Sequence, residues 1–324
     1  MQRILILCTI LAVPAVALGQ EEALFRGKTV RQWAAQLTDK NDSVRWYATH
    51  ALACIGPQAG AAVPALHKVL ENRGEHEYVR GGAARALGCI GPAAAPAAPL
   101  LIETSASEHH VSVRRNAAWA LGNLGPAAKP AIESLLMRLE DQDATVRVNA
   151  AVALWQIDRH PRAIRALVEM VRRGEGLGAY QAAVALGELG PPAEAAIPAL
   201  AEALRTGDDD VSRAAAAALG RMGPTAVPAV RGLLAVRGDA VAQRAVEALE
   251  RFGPAAVPAL IKALKNPSPL ARSTAARALG RLGPAGHPGR SALLEAVNDK
   301  DQQVRETAAW ALGQIQPAGK PAGK

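Results

Sequence analysis

Two adjacent pairs in the chain carry metal-ligating side chains, His76-Glu77 and His109-His110. A metal centre needs three or four ligands converging on one point. The seven histidines are scattered along the chain, and both pairs fall in polar stretches between predicted helices. The sequence therefore predicts neither a metal nor a cofactor. Nucleophilic catalysis needs a nucleophile, a base and an orienting group in mutual hydrogen-bond reach, and no Gly-x-Ser-x-Gly elbow marks such a set. Phosphate-cradling glycine loops are absent too, because the glycines recur at predicted helix ends. Cys8, Cys54 and Cys89 include no Cys-x-x-Cys spacing, so neither zinc nor haem attachment is indicated.

A row of cations is the stronger chemical signal. Arg221, Arg251 and Arg281 each stand two residues past a recurring leucine, in three successive units. Arg213, Arg244 and Arg277 lie on the same predicted helices. Guanidinium rows suit carboxylate or phosphate recognition. Cations in the last turn of a helix are also favourable against its dipole, by about 0.3–1 kcal/mol each, so a solvated helix end explains them as well. Elsewhere the same place holds Asn123, Gln156, Glu188 and Gln314. Two residues before the leucine stand Trp119 and Trp310, in a place shared with His50, Arg85 and Glu247. A place that tolerates charge is partly exposed. An exposed tryptophan there is an interface anchor; a half-buried one is packing.

The elements that position these residues repeat. Val113–Pro126 reads Val-Arg-Arg-Asn-Ala-Ala-Trp-Ala-Leu-Gly-Asn-Leu-Gly-Pro, and its leucine has counterparts at Leu52, Leu87, Leu121, Leu154, Leu186, Leu219, Leu249, Leu279 and Leu312. The intervals run from 30 to 35 residues, a period that signals a solenoid. In each unit an acidic or small polar residue, such as Asp42-Ser43 or Asp143, is expected to start a first helix as its cap, and the buried stripe of that helix in the third unit is Val113, Ala117, Ala120, Leu121 and Leu124. Glycine after the leucine lets helices approach closely. Gly-Pro then ends the helix, as at Gly56-Pro57 and Gly283-Pro284, since glycine takes the left-handed position and proline forbids continuation. A second proline (Pro64, Pro99, Pro130, Pro198, Pro228, Pro258, Pro288) is predicted to open the second helix. The fourth unit departs: Trp155 replaces the glycine and Asp158-Arg159-His160 replaces Gly-Pro, which predicts a local change in stacking.

This pattern resembles HEAT-like repeats of the short type first described in phycobilisome lyase subunits, and it covers about residues 29–315. The resemblance implies an all-α fold, an α-α superhelix of about eight helix hairpins plus capping helices, with partners bound on the concave side. Relatives include bilin lyases, deoxyhypusine hydroxylases and DNA glycosylases. The hydroxylases carry His-Glu pairs on their first helices as iron ligands. The matching positions here, such as Trp46-Tyr47, Gly81-Gly82 and Arg115-Asn116, hold none.

The N-terminus reads differently. Arg3, the apolar run Ile4–Val13 and the small residues of Ala17-Leu18-Gly19 form a secretory signal peptide over residues 1–19, with cleavage expected before Gln20. The run is too short to span a membrane, and no other segment is read as a span. A polar lead over 20–28, a capping helix begun by Thr29-Val30-Arg31-Gln32, and a flexible basic tail over 316–324 complete the plan. The net charge of +8 becomes +7 without Arg3, with 36 basic residues against 29 acidic. That mild excess favours an acidic partner. Nucleic-acid binding is not expected, because it calls for a basic face with stacking aromatics and only 3% of residues are aromatic. Export puts Cys54 and Cys89 in a compartment that permits a disulfide. Adjacent helices lie about 8–10 Å apart, however, and a bridge needs Cα atoms within about 7 Å, so their pairing stays open.

The sequence thus predicts an exported, non-enzymatic scaffold for protein partners, with a lyase-like or hydroxylase-like enzyme and an anionic-polymer binder as alternatives. Residues with recurring identity do structural work. Function is sought in those that vary: Arg115, Asn116, Trp119 and Asn123 in the third unit, and Arg221, Arg251, Arg281 and Trp310 beyond it.

Overall fold

The computed structural model describes residues 24–174, 176–206, 208–229, 234 and 239–315. The leader expected at 1–19, the start of the lead at 20–23 and the tail at 316–324 lie outside the described residues, as does the Arg244 side chain.

From Leu24 the polar lead is a small β-hairpin. Strand β1 (Leu24–Phe25) pairs antiparallel with β2 (Lys28–Thr29), Leu24 opposite Thr29. Arg26 and Gly27 turn the chain with φ of 48° and 75°, the two positive values that a two-residue hairpin turn requires. The Trp33 indole N–H donates to the Phe25 carbonyl at 3.1 Å, and its ring lies 5.5 Å from Tyr47. The hairpin thereby closes the end of the stack beside helix α1 (Val30–Gln36). The capping box is present: Gln32 N–H donates to Thr29 Oγ1 at 3.2 Å, and Thr29 N–H to Gln32 Oε1 at 2.9 Å.

Helix hairpins follow. They are α2 (Asp42–Ile55) with α3 (Val63–Glu71), α4 (Glu77–Ile90) with α5 (Ala98–Ser107), and α6 (Val111–Asn123) with α7 (Ile132–Arg138). Next come α8 (Ala144–Asp158) with α9 (Pro161–Arg173), α10 (Gly176–Leu189) with α11 (Ile197–Thr206), and α12 (Asp209–Met222). The stack ends with α13 (Asp239–Arg251) and α14 (Val257–Ala263), α15 (Pro269–Arg281) and α16 (Arg290–Ala296), and α17 (Gln302–Gln314). Asp143 and Asp301 cap their first helices as expected, Asp143 Oδ1 accepting from Val146 N–H at 3.0 Å and Asp301 Oδ1 from Val304 N–H at 3.1 Å; α2 is capped by Asn41 rather than by Asp42 or Ser43, and α6 has no side-chain cap. His76 caps α4, its Nδ1 accepting from Tyr78 N–H at 3.3 Å.

The Gly-Pro junctions are short 3-10 helices rather than open turns. Gly56, with φ of 67°, begins one over Gly56–Ala62. Pro64, Pro99 and Pro258 stand in the first turn of their α-helices and Pro198 is the second residue of α11. Pro130, Pro228 and Pro288 instead lie inside the preceding 3-10 segments. All three follow the glycine of Gly-Pro by five residues, as Pro258 does; Pro258 falls in the α-helix because its 3-10 segment is shorter, Gly253–Ala256.

The result is an all-α superhelix of two layers. Eight anchor leucines, from Leu52 to Leu279, have 0% exposure; Leu312 is half-buried. Successive first helices pack along their length, whereas successive second helices touch sparingly. The layer of shorter spacing is the inner one, so the first helices form the concave face. Alanine and glycine at their contacts permit that spacing: a β-carbon on Gly187 would lie 2.7 Å from Ala218 Cα.

At the fourth unit α8 runs on to Asp158 and ends on Arg159, a left-handed residue with φ of 50°. No 3-10 segment separates α8 from α9, and α8 meets α10 over less of its length than it meets α6. By length and composition alone Glu77–Ser107 is apolar enough to cross a membrane. It is α4 and α5 folded back at Gly91, whose φ is 72°. Cys54 and Cys89 are both thiols, without a bridge.

Candidate functional site

One recurring residue is structural in a way that sequence reasoning missed. Seven places before the anchor stand Arg45, Arg80, Arg114, Arg147, Arg272 and Arg305. Nη1 of Arg272 donates to the carbonyls of Asn266 and Pro267 at 2.9 and 3.0 Å. Arg45, Arg114, Arg147 and Arg305 repeat this fork. The remaining nitrogens reach a carboxylate in the next unit's loop: Arg45 to Glu75 at 2.7 Å, Arg114 to Asp141 at 3.2 Å, Arg272 to Asp299 at 2.7 Å, and Arg80 to Glu108. The hydrogen bond from Arg272, opposed by burial, holds the Asp299 carboxyl below the usual carboxylate range. For Glu75 burial pushes upward, but hydrogen bonds from Arg45 and the His76 N–H outweigh it and the net shift is downward. An acidic residue 27 to 30 places after Arg45, Arg80, Arg114 and Arg272 was the available signal. Ala179 and Ser212 stand in the arginine's place in the fifth and sixth units.

The four varying residues of α6 are half-buried and largely engaged with neighbouring helices. Arg115 pairs with Asp143, the cap of α8, through Nε at 2.7 Å from Oδ1. That hydrogen bond, against opposing burial, lowers the Asp143 carboxyl from its ordinary value. Asn149 Nδ2 donates back to the Arg115 carbonyl at 2.9 Å. Asn116 lies against Gly81, and Asn123 Nδ2 donates to the Trp119 carbonyl at 3.2 Å. Trp119 lies on Gly88: a β-carbon there would come within 2.6 Å of the indole. The motif glycine is thus a seat for a side chain of the next unit. Gln156 takes the seat at Gly122, Arg251 the one at Gly220 and Trp310 the one at Gly280.

The C-terminal half is different. Arg221, Arg251 and Arg281 are exposed at the ends of successive first helices. Arg281 Nε lies 3.2 Å from Glu250 Oε2. Among the described residues neither Arg221 nor Arg251 has an ion-pair partner. Trp310 is 42% exposed and, with Gln243, Arg277, Arg281, Glu306 and Thr307, lines an open cleft of about 350 Å³. Arg277 Nη1 reaches Gln243 Oε1 at 3.4 Å. Arg281 and Trp310 therefore share one cleft, whereas the α6 group lies several units away. Where α6 presents Arg115 and Asn116, α15 has only the buried Ser273 and Thr274.

At the other end of the concave face Trp46 is 45% exposed, with Tyr47 stacked on His50 at 6.2 Å. Trp46 occupies the position equivalent to Arg115 and was not singled out from the sequence, although it stands at a varying position. His110 pairs with Glu77. Among the described residues no group of three or more His, Cys, Asp or Glu side chains is arranged to hold a metal ion.

A family model described as HEAT repeats matches residues 30–112, 98–177, 177–250, 237–288 and 257–322. No curated protein matches the sequence. Among solved structures, a chain of the Kap95p–RanGDP complex aligns at 16% identity and a TM-score of 0.53, over 88% of this chain and 44% of its own length. This chain thus spans less than half of that relative. Human deoxyhypusine hydroxylase with glycerol aligns at 24% identity and a TM-score of 0.35, over 88% of this chain and 95% of that one. The CpcE–CpcF complex of phycocyanin lyase from Nostoc aligns at 27% identity and a TM-score of 0.39, over 48% of this chain and 96% of that one.

Proposed function

The chain belongs to the HEAT-repeat family, and from that premise we propose that it is an exported, non-enzymatic scaffold that binds a protein partner along its concave face. HEAT-repeat scaffolds support protein interaction in general. One observation carries the reading for this chain. Toward the C-terminus the place two past the anchor leucine is exposed and cationic in three successive first helices, Arg221, Arg251 and Arg281, and the exposed Trp310 of the following first helix shares a cleft with Arg281. Cations kept exposed at the same place in successive units form a polar face, and the exposed tryptophan beside it is an aromatic anchor, the composition that favours recognition.

A photoreactive residue at Asn123 or Arg251 should form adducts with another protein in the producing cell. The same probe at Lys262, exposed on α14 in the outer layer, should form few. Adducts at Lys262 alone, or none at any position, would overturn the reading. Export rests on Arg3, Ile4–Val13 and Ala17-Leu18-Gly19; an N-terminus at Gln20 in the secreted protein is the expected result. Stoichiometric iron in purified protein would instead favour a hydroxylase-like enzyme.

A further inference from the structure

The basic row repeats once per unit. Arg221, Arg251 and Arg281 end α12, α13 and α15, successive members of the concave layer. The Arg251 stem lies on Gly220, the residue beside Arg221, and Arg281 reaches Glu250, the residue beside Arg251. Arg251 and Arg281 therefore each lean toward the unit before them, and the helices that carry the row are expected to pack at about 8–10 Å from axis to axis. At the end of the row the cleft adds a second guanidinium, Arg277, and the exposed face of Trp310.

A ligand crossing these helices must present negative charge at the same interval. A β-strand repeats one face about every 6.6 Å, because side chains alternate. A polyproline II segment has three residues per turn and rises about 3.1 Å per residue, so it repeats a face about every 9 Å. Resting on the scaffold reading above, we propose that the C-terminal half of the concave face binds an extended, polyproline-II-like acidic segment of a protein partner. The segment places a carboxylate at every third residue on Arg221, Arg251 and the Arg277–Arg281 pair, followed by an apolar side chain on Trp310. The occupant is a peptide rather than a uniform polyanion because the cleft that ends the row pairs its cations with an indole, a hydroxyl (Thr307) and a carboxylate (Glu306).

The test is fluorescence anisotropy of labelled synthetic peptides with the full chain. One peptide repeats Glu-Pro-Ala three times and ends in leucine; its control has the same composition with the glutamates contiguous. The spaced peptide should bind several-fold more tightly, with an affinity that falls as salt rises. Combining Arg221→Gln with Arg251→Gln should weaken it about tenfold while the circular dichroism spectrum of the fold stays unchanged. Trp310→Ala should weaken the leucine-ended peptide more than an alanine-ended one, a comparison that cancels any general effect on the end of the stack. Equal binding of the two glutamate arrangements overturns the proposal, as does tighter binding of a single-stranded oligonucleotide. If neither peptide binds while photo-adducts still form at Asn123 or Arg251, the acidic segment is wrong and the scaffold reading survives; absence of those adducts removes the scaffold reading itself.

Discussion

The indole of Trp119 fills the place where a β-carbon on Gly88 would stand, 2.6 Å from its Cζ3, and the Ala120 Cα lies 2.8 Å from the same point. Trp310 meets Gly280 in the same way, at 2.5 Å. At Gly88, Gly122, Gly187, Gly220 and Gly280 the glycine that follows the anchor leucine is therefore a contact surface for the next unit, and the residue seated on it differs along the stack.

The same motif glycine should respond with opposite sign at two positions. Gly88→Ala forces the α4 and α6 backbones apart, an overpacking cost of about 1–3 kcal/mol. Gly313 has nothing within 4 Å of the added methyl, so Gly313→Ala should stabilise by up to about 1 kcal/mol through helix propensity. Denaturant midpoints measure both, and shifts of the same sign would contradict the seating role.

The loop ties predict an acid limb in stability. Asp299 and Asp143 titrate below their ordinary value of 3.8 in the folded chain, each held chiefly by an arginine hydrogen bond. A carboxyl depressed by folding contributes stability that is fully present above its unfolded pKa and is lost as pH falls through the folded one. Unfolding free energy should therefore decline below about pH 4 as these pairs protonate. Asp299→Asn should flatten that decline and lower stability at neutral pH by about 3 kcal/mol, because it strips the partner from the buried Arg272. An unchanged acid slope in the variant would remove the tie from the account.

Local stability should dip where the ties stop. Ala179 and Ser212 replace the forked arginine in α10 and α12, so these helices lose a bond that links consecutive loops. In a stack whose units contact only their neighbours, such a loss stays local. Amide exchange should be faster in α10 and α12 than in α4 and α6, and the reverse order would contradict the role of the arginine ladder.

The fold was legible in the sequence because its signals recur. A leucine every 30 to 35 residues, the capping residues and Gly-Pro each state a local geometry, and repetition turns them into an architecture. The hairpin at Leu24–Thr29 was not legible: its two-residue strands are too short for periodicity, and the indole N–H of Trp33 that recruits Phe25 acts across eight residues. The arginine ladder was visible as a recurring residue but not as a tie, since its acceptors are loop carbonyls and a carboxylate from the next unit. Residue variation marked Arg115, Asn116 and Trp119 as partner-binding candidates, and the structure sets all three against neighbouring helices; variation alone could not separate residues spent on packing, such as Trp119 on Gly88, from those left exposed, such as Arg221.

The most direct measurement of the central claim compares two charge-reversed variants in binding a partner identified by concave-face cross-linking. One carries Arg221→Glu and Arg251→Glu on the concave layer; the other carries Lys262→Glu and Lys265→Glu on the exposed outer side. The account predicts that the first loses binding about tenfold or more and that the second matches the parent chain. Retained binding in the first variant, or equal loss in both, would contradict it.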